Sequence, residues 1–254
     1  MRAFFHISKS GILYFMEYKY TAIVLNKRDI AETDRLYTVY TLEGGKMHSV
    51  AKGIRKPEAK LASALETLDM VDLTIVRNRG NGKISGSITE KNYPALKNDL
   101  EGLREIFKGI AFFDKVVEIE SVDTKLFLLL LEYISTADMF SRKGFSADKH
   151  QLLRIGFSVK LMESLGYKIE AKACIANGCV FSGTHFYFNC HMGGFVCQKC
   201  AGNIPGMIPA SANSIKMIRI FFQNNLQSFE KISIEKKDLQ VLSRLVQNFI
   251  AWAL

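Results

Sequence analysis

Between Tyr20 and about Glu90 the chain alternates apolar and polar residues in short runs separated by turn signals, the pattern of half-buried strands. TAIVLN (21–26) is a β-branched run, and RLYTVYTL (35–42) sets Leu36, Thr38 and Tyr40 against Tyr37, Val39 and Thr41. Gly44-Gly45 predicts a hairpin onto KMHSVAK (46–52), because paired glycines supply the positive φ of tight turns. MVDLTIVR (70–77), with Val71, Leu73 and Ile75 on one face, the turn 78–83 and ISGSIT (84–89) complete five strands. Five short strands in so little chain favour a closed barrel, which leaves no unpaired edge, and an OB-type barrel is the preferred form.

Beyond Pro94 the period changes from 2 to about 3.6. Segments 96–120, 125–140 and 147–167 repeat apolar residues at helical spacing, with Gly166 placed as a C-terminal stop. Segment 211–226 begins on Ser211, a suitable N-cap, and a last amphipathic helix runs from about Glu235, carried by Leu239, Leu242, Leu245, Val246 and Phe249. The expected class is α+β and multidomain: an N-terminal extension over 1–15, an OB-fold over 16–92, and a helical domain over 93–254 with a metal-binding insertion at about 170–205.

The 254 residues, 48% hydrophobic and 23% charged with four prolines, belong to the globular class. The longest apolar stretch, Leu126 to Leu131, is far short of the roughly 20 residues that cross a bilayer, so no membrane partner is expected. The N-terminus lacks a small-residue cleavage site, which favours a cytoplasmic protein. Charge is uneven along the chain. Residues 1–100 hold 16 basic and 11 acidic side chains, residues 101–170 hold 10 and 11, and residues 171–254 hold 8 and 3. Two basic ends with a net charge of +9 suit a polyanionic partner, although such a charge also serves solubility alone.

All five cysteines lie between Cys174 and Cys200. Two close pairs, Cys174 with Cys179, closed by a turn at Asn177-Gly178, and Cys197 with Cys200, with a hairpin-like stretch at 183–197 between them, match zinc-ribbon spacing. Four thiolates close the coordination shell, so a single structural Zn²⁺ is expected rather than a catalytic one. Disulfides are disfavoured by the odd count, and a redox C-x-x-C by the missing βαβ context. Cys190, His191 and His185 are read as bystanders. No H-x-E triplet of a zinc deaminase is present.

Cations of the barrel region fall in loops and at strand ends: Lys27, Arg28, Arg35, Lys52, Arg55, Lys56, Lys60, Arg77, Arg79 and Lys83. Loops on a rigid barrel suit phosphate contacts, with Tyr37 or Tyr40 as stacking faces, against the plainer reading of a solvated rim and core tyrosines. The chain has neither a G-x-x-x-x-G-K-[ST] loop nor a G-x-S-x-G elbow. Asp29, Glu32 and Asp34 admit a metal-dependent nuclease, but Glu32 and Asp34 are read more simply as partners of Arg28 and Arg35. An RNA-binding module is the other alternative, since barrels and zinc ribbons both serve RNA.

The order of three motifs resembles the bacterial recombination mediator family RecO: TAIVLNKRDIAETDRL (21–36) with its E-x-D-R-L box, Gly45-Lys46 with AKGIRKP (51–57), and the cysteine pairs with Gly193-Gly194 before Cys197. The resemblance runs from about Met16 to the end, and residues 1–15 precede the family's usual first strand, making Met16 a candidate start. It implies an OB-fold, a helical domain and a zinc-bearing insertion whose ligands are not present in every member. It implies a non-enzymatic, nucleoid-associated protein that binds single- and double-stranded DNA and anneals strands. With the partner RecR, such a protein promotes RecA loading on DNA coated by single-strand binding protein, whose acidic C-terminal tail it engages. Carried onto this chain, the resemblance points to Arg28, Arg35, Lys52, Arg55 and Lys56 as DNA contacts.

Overall fold

A computed structural model describes residues 16–56, 58, 61–77, 82–181, 183–202 and 204–254. The extension 1–15 and the candidate contacts Lys60 and Arg79 lie outside the described residues, as does most of the turn after Arg77. The chain divides into two compact units, one of residues up to Pro94 with Phe113–Ile134, the other of Ala95–Phe112 with Ser135–Leu254.

The first unit holds five strands: β1 (Met16–Asp29), β2 (Arg35–Thr41), β3 (Gly45–Ala51), β4 (Met70–Arg77) and β5 (Lys83–Lys91). They close into a barrel in the order β1-β2-β3-β5-β4, as expected of an OB-type barrel. Closure depends on the length of β1, which pairs over Met16–Ile23 with β4 and over Ala22–Asp29 with β2, with a register shift between Val24 and Asn26. The seam is short: the Val50 amide donates to Gly82 O at 2.9 Å, and Val50 lies opposite Lys83 in the parallel pair of β3 with β5. Inside, Tyr37 and Val39 of β2 meet Val71, Leu73 and Ile75 of β4 and Ile84 of β5 in one buried cluster.

The alternation in β2 holds, yet its second face is also dry. Tyr40 is fully buried, edge-on to Phe113 at 4.9 Å, with its hydroxyl donating to Asp123 O at 3.2 Å. Burial pushes its phenol up to about 12. The Phe113–Ile134 stretch of the same unit covers this face and Tyr37 is buried inside the barrel, so both tyrosines follow the plainer reading of core residues and neither offers a stacking surface. The β2–β3 hairpin turns on one glycine rather than two. Gly45 alone takes positive φ, at +66°. A Cβ there would stand 2.3 Å from Ser121 O, so backbone angle and space both demand glycine. Beside it, the buried Lys46 donates to Asp114 O at 2.5 Å, with the Asp114 carboxylate at 3.3 Å. The Gly45-Lys46 motif thus holds the barrel to its covering segment.

The helices are α1 (Pro94–Lys97), α2 (Leu100–Val116), α3 (Thr124–Arg142), α4 (Ala147–Ser164), α5 (Gln198–Ala201), α6 (Ala212–Gln223) and α7 (Lys236–Ala253). The expected single helix over 96–120 is two, because Asp99 ends one and starts the next. Its Oδ1 accepts the Gly102 amide at 3.0 Å, while Oδ2 accepts Ser141 Oγ at 2.7 Å and lies 3.2 Å from His150 Nε2. A side chain satisfying an amide of the first turn is the usual start of a helix. Helix α4 buries residues on every face, from His150 to Met162, and is the centre of the second unit. It stops at Gly166, φ +94°, with Tyr167 N to Met162 O at 2.8 Å and Gly166 N to Glu163 O at 3.0 Å, the paired bonds of a Schellman end. Ser211 caps α6 by accepting the Ser214 amide at 3.1 Å.

Between α4 and α6 a small antiparallel sheet orders β7 (Gly194–Cys197), β6 (Phe186–Asn189) and β8 (Met207–Ala210). Strand β8 was not expected from sequence. It is four residues long with a proline, which an edge strand pairing on one side tolerates, and among the described residues it pairs with β6 alone.

Candidate metal centre and nucleic-acid interface

The knuckle is built by two turns facing each other across β7. In the first, Gly178 N donates to Cys174 O at 2.7 Å and Cys174 N to Cys179 O at 2.9 Å, folding one cysteine pair back on itself. The second is the step from β7 into α5, where Cys197 ends the strand and Cys200 follows one turn later. The four sulfurs of Cys174, Cys179, Cys197 and Cys200 lie within 4.8 Å of one another. Cys179 Sγ stands 3.7 Å from both Cys197 Sγ and Cys200 Sγ. Four thiolates held about 2.3 Å from a tetrahedral ion sit about 3.8 Å apart, so the donor set has the dimensions of a metal site. Among the described residues no other group of three or more candidate ligands is so placed. Two surrounding amide groups point at sulfur: the Cys197 backbone N–H at Cys174 (3.5 Å) and the Asn177 side chain at Cys200 (3.3 Å). Such outer bonds stabilise thiolates.

The bystanders stay out. His191 Nδ1 accepts from Trp252 Nε1 at 3.0 Å, His185 Nδ1 lies 3.0 Å from its neighbour Thr184 Oγ1, and Cys190 is buried away from the four, its thiol pushed up by burial.

The barrel cations gather around the loops after β1 and after β3. Asp34, in the E-x-D-R-L box, accepts the Gly53 amide at 2.7 Å and the Thr33 hydroxyl at 3.1 Å, and Arg55 N donates to Thr33 O at 3.1 Å. These bonds fasten one loop to the other. The Gly53 N–H first, then the Thr33 hydroxyl and the charges of Lys52 and Lys56, hold the Asp34 carboxyl below its ordinary range. The partner of Arg35 is Asp29, at 2.6 Å, and Arg55 shares the same carboxylate at 3.3 Å. The expected pairing of Glu32 and Asp34 with Arg28 and Arg35 is therefore replaced, because β1 and β2 set Asp29 directly opposite Arg35.

Lys27 is half-buried and paired with Glu66 at 2.6 Å. Arg28, Lys52 and Lys56 are exposed and have no carboxylate partner among the described residues. Exposed Lys83 opposes Val50 on one side and Val76 on the other, so the strand register brings it and Arg77 beside the end of β3, two residues before Lys52. Arg77 itself is half-buried and reaches Met47 Sδ at 4.0 Å. Lys83 belongs with the unpaired set by register, a relation visible only once β3 and β5 close the barrel. With Asp29 engaged by two arginines and Asp34 by a backbone amide, the three carboxylates that suggested a nuclease are bound to protein groups or, for Glu32, stand apart.

The match to known proteins covers both units. The model of the recombination protein O N terminus matches residues 16–92, and that of its C terminus matches residues 110–254. A DNA repair protein RecO of Dehalococcoides mccartyi is 26% identical over 238 residues, covering 94% of this chain and 91% of that protein. The DNA repair protein RecO of Halalkalibacterium halodurans is 25% identical over 234 residues, covering 92% and 89%, and that of Desulforamulus reducens 23% over 237 residues, covering 93% and 90%. With its barrel and its helical unit each matched in order, the chain belongs to the recombination protein O family of DNA repair proteins.

Proposed function

We propose that the chain is a recombination mediator that binds DNA without making or breaking bonds, anneals complementary single strands and, with RecR, promotes RecA loading on DNA coated by single-strand binding protein. The observation that carries the binding step is the group of exposed cations without a carboxylate partner among the described residues, Arg28, Lys52, Lys56 and Lys83, on loops and strand ends that Asp34 and the barrel seam hold together. Fixed cations on a rigid barrel neutralise phosphates and release counterions without reading bases. Arg35 and Arg55, half-neutralised by Asp29, shape this rim as well as charging it. Lys27 and Arg77, half-buried and held by Glu66 and Met47, adjoin it in the chain, and Lys60 and Arg79 extend the same loops in sequence. The barrel of residues 16–92 is the DNA-binding domain, and 93–254 forms the partner-binding domain, on which the acidic tail of single-strand binding protein docks. The protein works at the nucleoid.

Zinc fits the four cysteines best: an all-thiolate tetrahedral donor set suits a soft structural ion. When bound, zinc cross-links the two turns. The cysteines hold it, and the Asn177 side chain orients Cys200.

The test is annealing of two complementary labelled oligonucleotides, bare and coated with the cognate single-strand binding protein. Duplex should form faster with the protein present, the strands should remain full length with Mg²⁺ or Mn²⁺, and an equivalent RNA strand should compete less well. Absence of acceleration, or strand cleavage lost on substituting Asp29, Glu32 and Asp34, would overturn the reading.

A further inference from the structure

The second unit carries a groove of about 440 Å³ that neither the barrel rim nor the metal centre uses. Its walls come from the segment following α4 and from α6, and include Lys168, Glu170, Lys172, Arg219 and Phe222. Arg219 is held in place from behind: Nε donates to Ala171 O at 2.6 Å and Nη2 to Lys172 O at 3.0 Å. Its guanidinium carbon lies 5.7 Å from the centre of the Phe181 ring, a residue of the cysteine knuckle. Phe222 is half-buried, with the Lys168 ammonium 5.0 Å over its ring. The Glu170 carboxylate is turned toward the backbone, accepting the amides of Lys172 at 2.5 Å and Ala173 at 3.3 Å. Glu163 pairs with Lys168 at 2.6 Å, while exposed Lys172 has no carboxylate partner among the described residues.

We propose that this groove is a second binding site for single-stranded DNA. An apolar aromatic wall flanked by cations is the composition of sequence-tolerant single-strand sites, where a base lies against the ring and the backbone runs along the charges. Here Phe222 supplies the wall, and Arg219 and Lys172 supply the cations for consecutive phosphates. The charged groups of the groove favour a polyanion: Lys168, Lys172 and Arg219 line it with Glu170 as its one carboxylate, which is engaged by backbone amides, and Glu163 nearby is taken by Lys168. The proposal rests on the annealing function, because annealing needs two strands held by one protein. It also gives the knuckle a role: Phe181, two residues after Cys179, lies against Arg219 and keeps the guanidinium at the groove.

The chain has a single tryptophan, so Phe222→Trp in a Trp252→Phe background places the only indole in the groove. Titration with oligothymidylate should quench its emission in step with the anisotropy of a labelled strand, and the quenching should persist when Arg28, Lys52 and Lys56 are replaced by Ala. Anisotropy reporting binding while emission stays constant would overturn the groove and leave the barrel reading intact. Loss of both signals in the chain with an unaltered barrel would overturn both. Quenching by an acidic peptide but not by the oligonucleotide would reassign the groove to a protein partner and sink the proposal. As a second measurement, Phe222→Ala should slow annealing about tenfold, the order expected for one lost stacking contact, with metal content and circular dichroism confirming the fold. An unchanged annealing rate would also overturn the proposal.

Discussion

Gly45 carries two constraints at once, a left-handed backbone at φ +66° and a Ser121 carbonyl where any Cβ would sit. Gly45→Ala should therefore destabilise the first unit by about 2 kcal/mol or more, the sum of backbone strain and a steric shift, read as a lower denaturant midpoint. A midpoint within error of the parent would mean the covering segment yields freely. His150 is fully buried. Burial, outweighing the attraction of nearby Asp99 and Glu105, holds its imidazole below the ordinary 6.5. A folded histidine that resists protonation keeps its contribution above pH 6.5 and loses it as pH falls, because the unfolded chain takes up the proton first. Stability of the second unit should decline as pH drops below about 6.5. His150→Gln, which retains an N–H toward Asp99, should flatten that decline, and equal slopes for both proteins would remove His150 as its source.

The cysteine knuckle is an element without a core of its own. Among the described residues its buried cluster contains Cys174, Val196, Cys197 and Ala201, with half-buried residues around them, and so few buried apolar side chains do not fold a sheet of four-residue strands unaided. The purified protein should contain one zinc per chain by elemental analysis. Chelation should expose the stretch around residues 174–200 to protease while the barrel resists, whereas uniform resistance after metal loss would contradict a structural role. The cysteine spacing made this centre legible in sequence, because ligand spacing is set by local turns. The five strands were legible for the same reason: Val71, Leu73 and Ile75 face one way under a period that needs no tertiary knowledge. What escaped depended on distant partners. Whether Tyr40 is a stacking face or core depends on Phe113 covering it, the break at Asp99 needed Ser141 and His150 to show that its side chain is a hub, and β8 pairs with the edge that β6 offers.

Across the full chain, the proposed attraction to DNA is electrostatic. The rim cations come from segments far apart in sequence: Arg28 follows β1's bulge, Lys52 and Lys56 follow β3, and Lys83 opens β5. Individually they were visible as basic loop residues, but which of them a carboxylate would neutralise was not. Asp29 takes Arg35 and Arg55, and Glu66 takes Lys27. Arg35→Ala should accordingly weaken DNA binding less than Arg28→Ala, since part of its charge is already satisfied; the reverse order would place the binding surface on the paired arginines. The most direct test is the salt dependence of single-strand binding, plotted as log affinity against log salt for the parent and for the triple replacement of Arg28, Lys52 and Lys56 by Ala. The account predicts a steep negative slope that becomes shallower by about 2 in the variant, from roughly 0.7 per lost phosphate contact. A parent affinity indifferent to salt, or a variant with the parent's slope and strength, would contradict it.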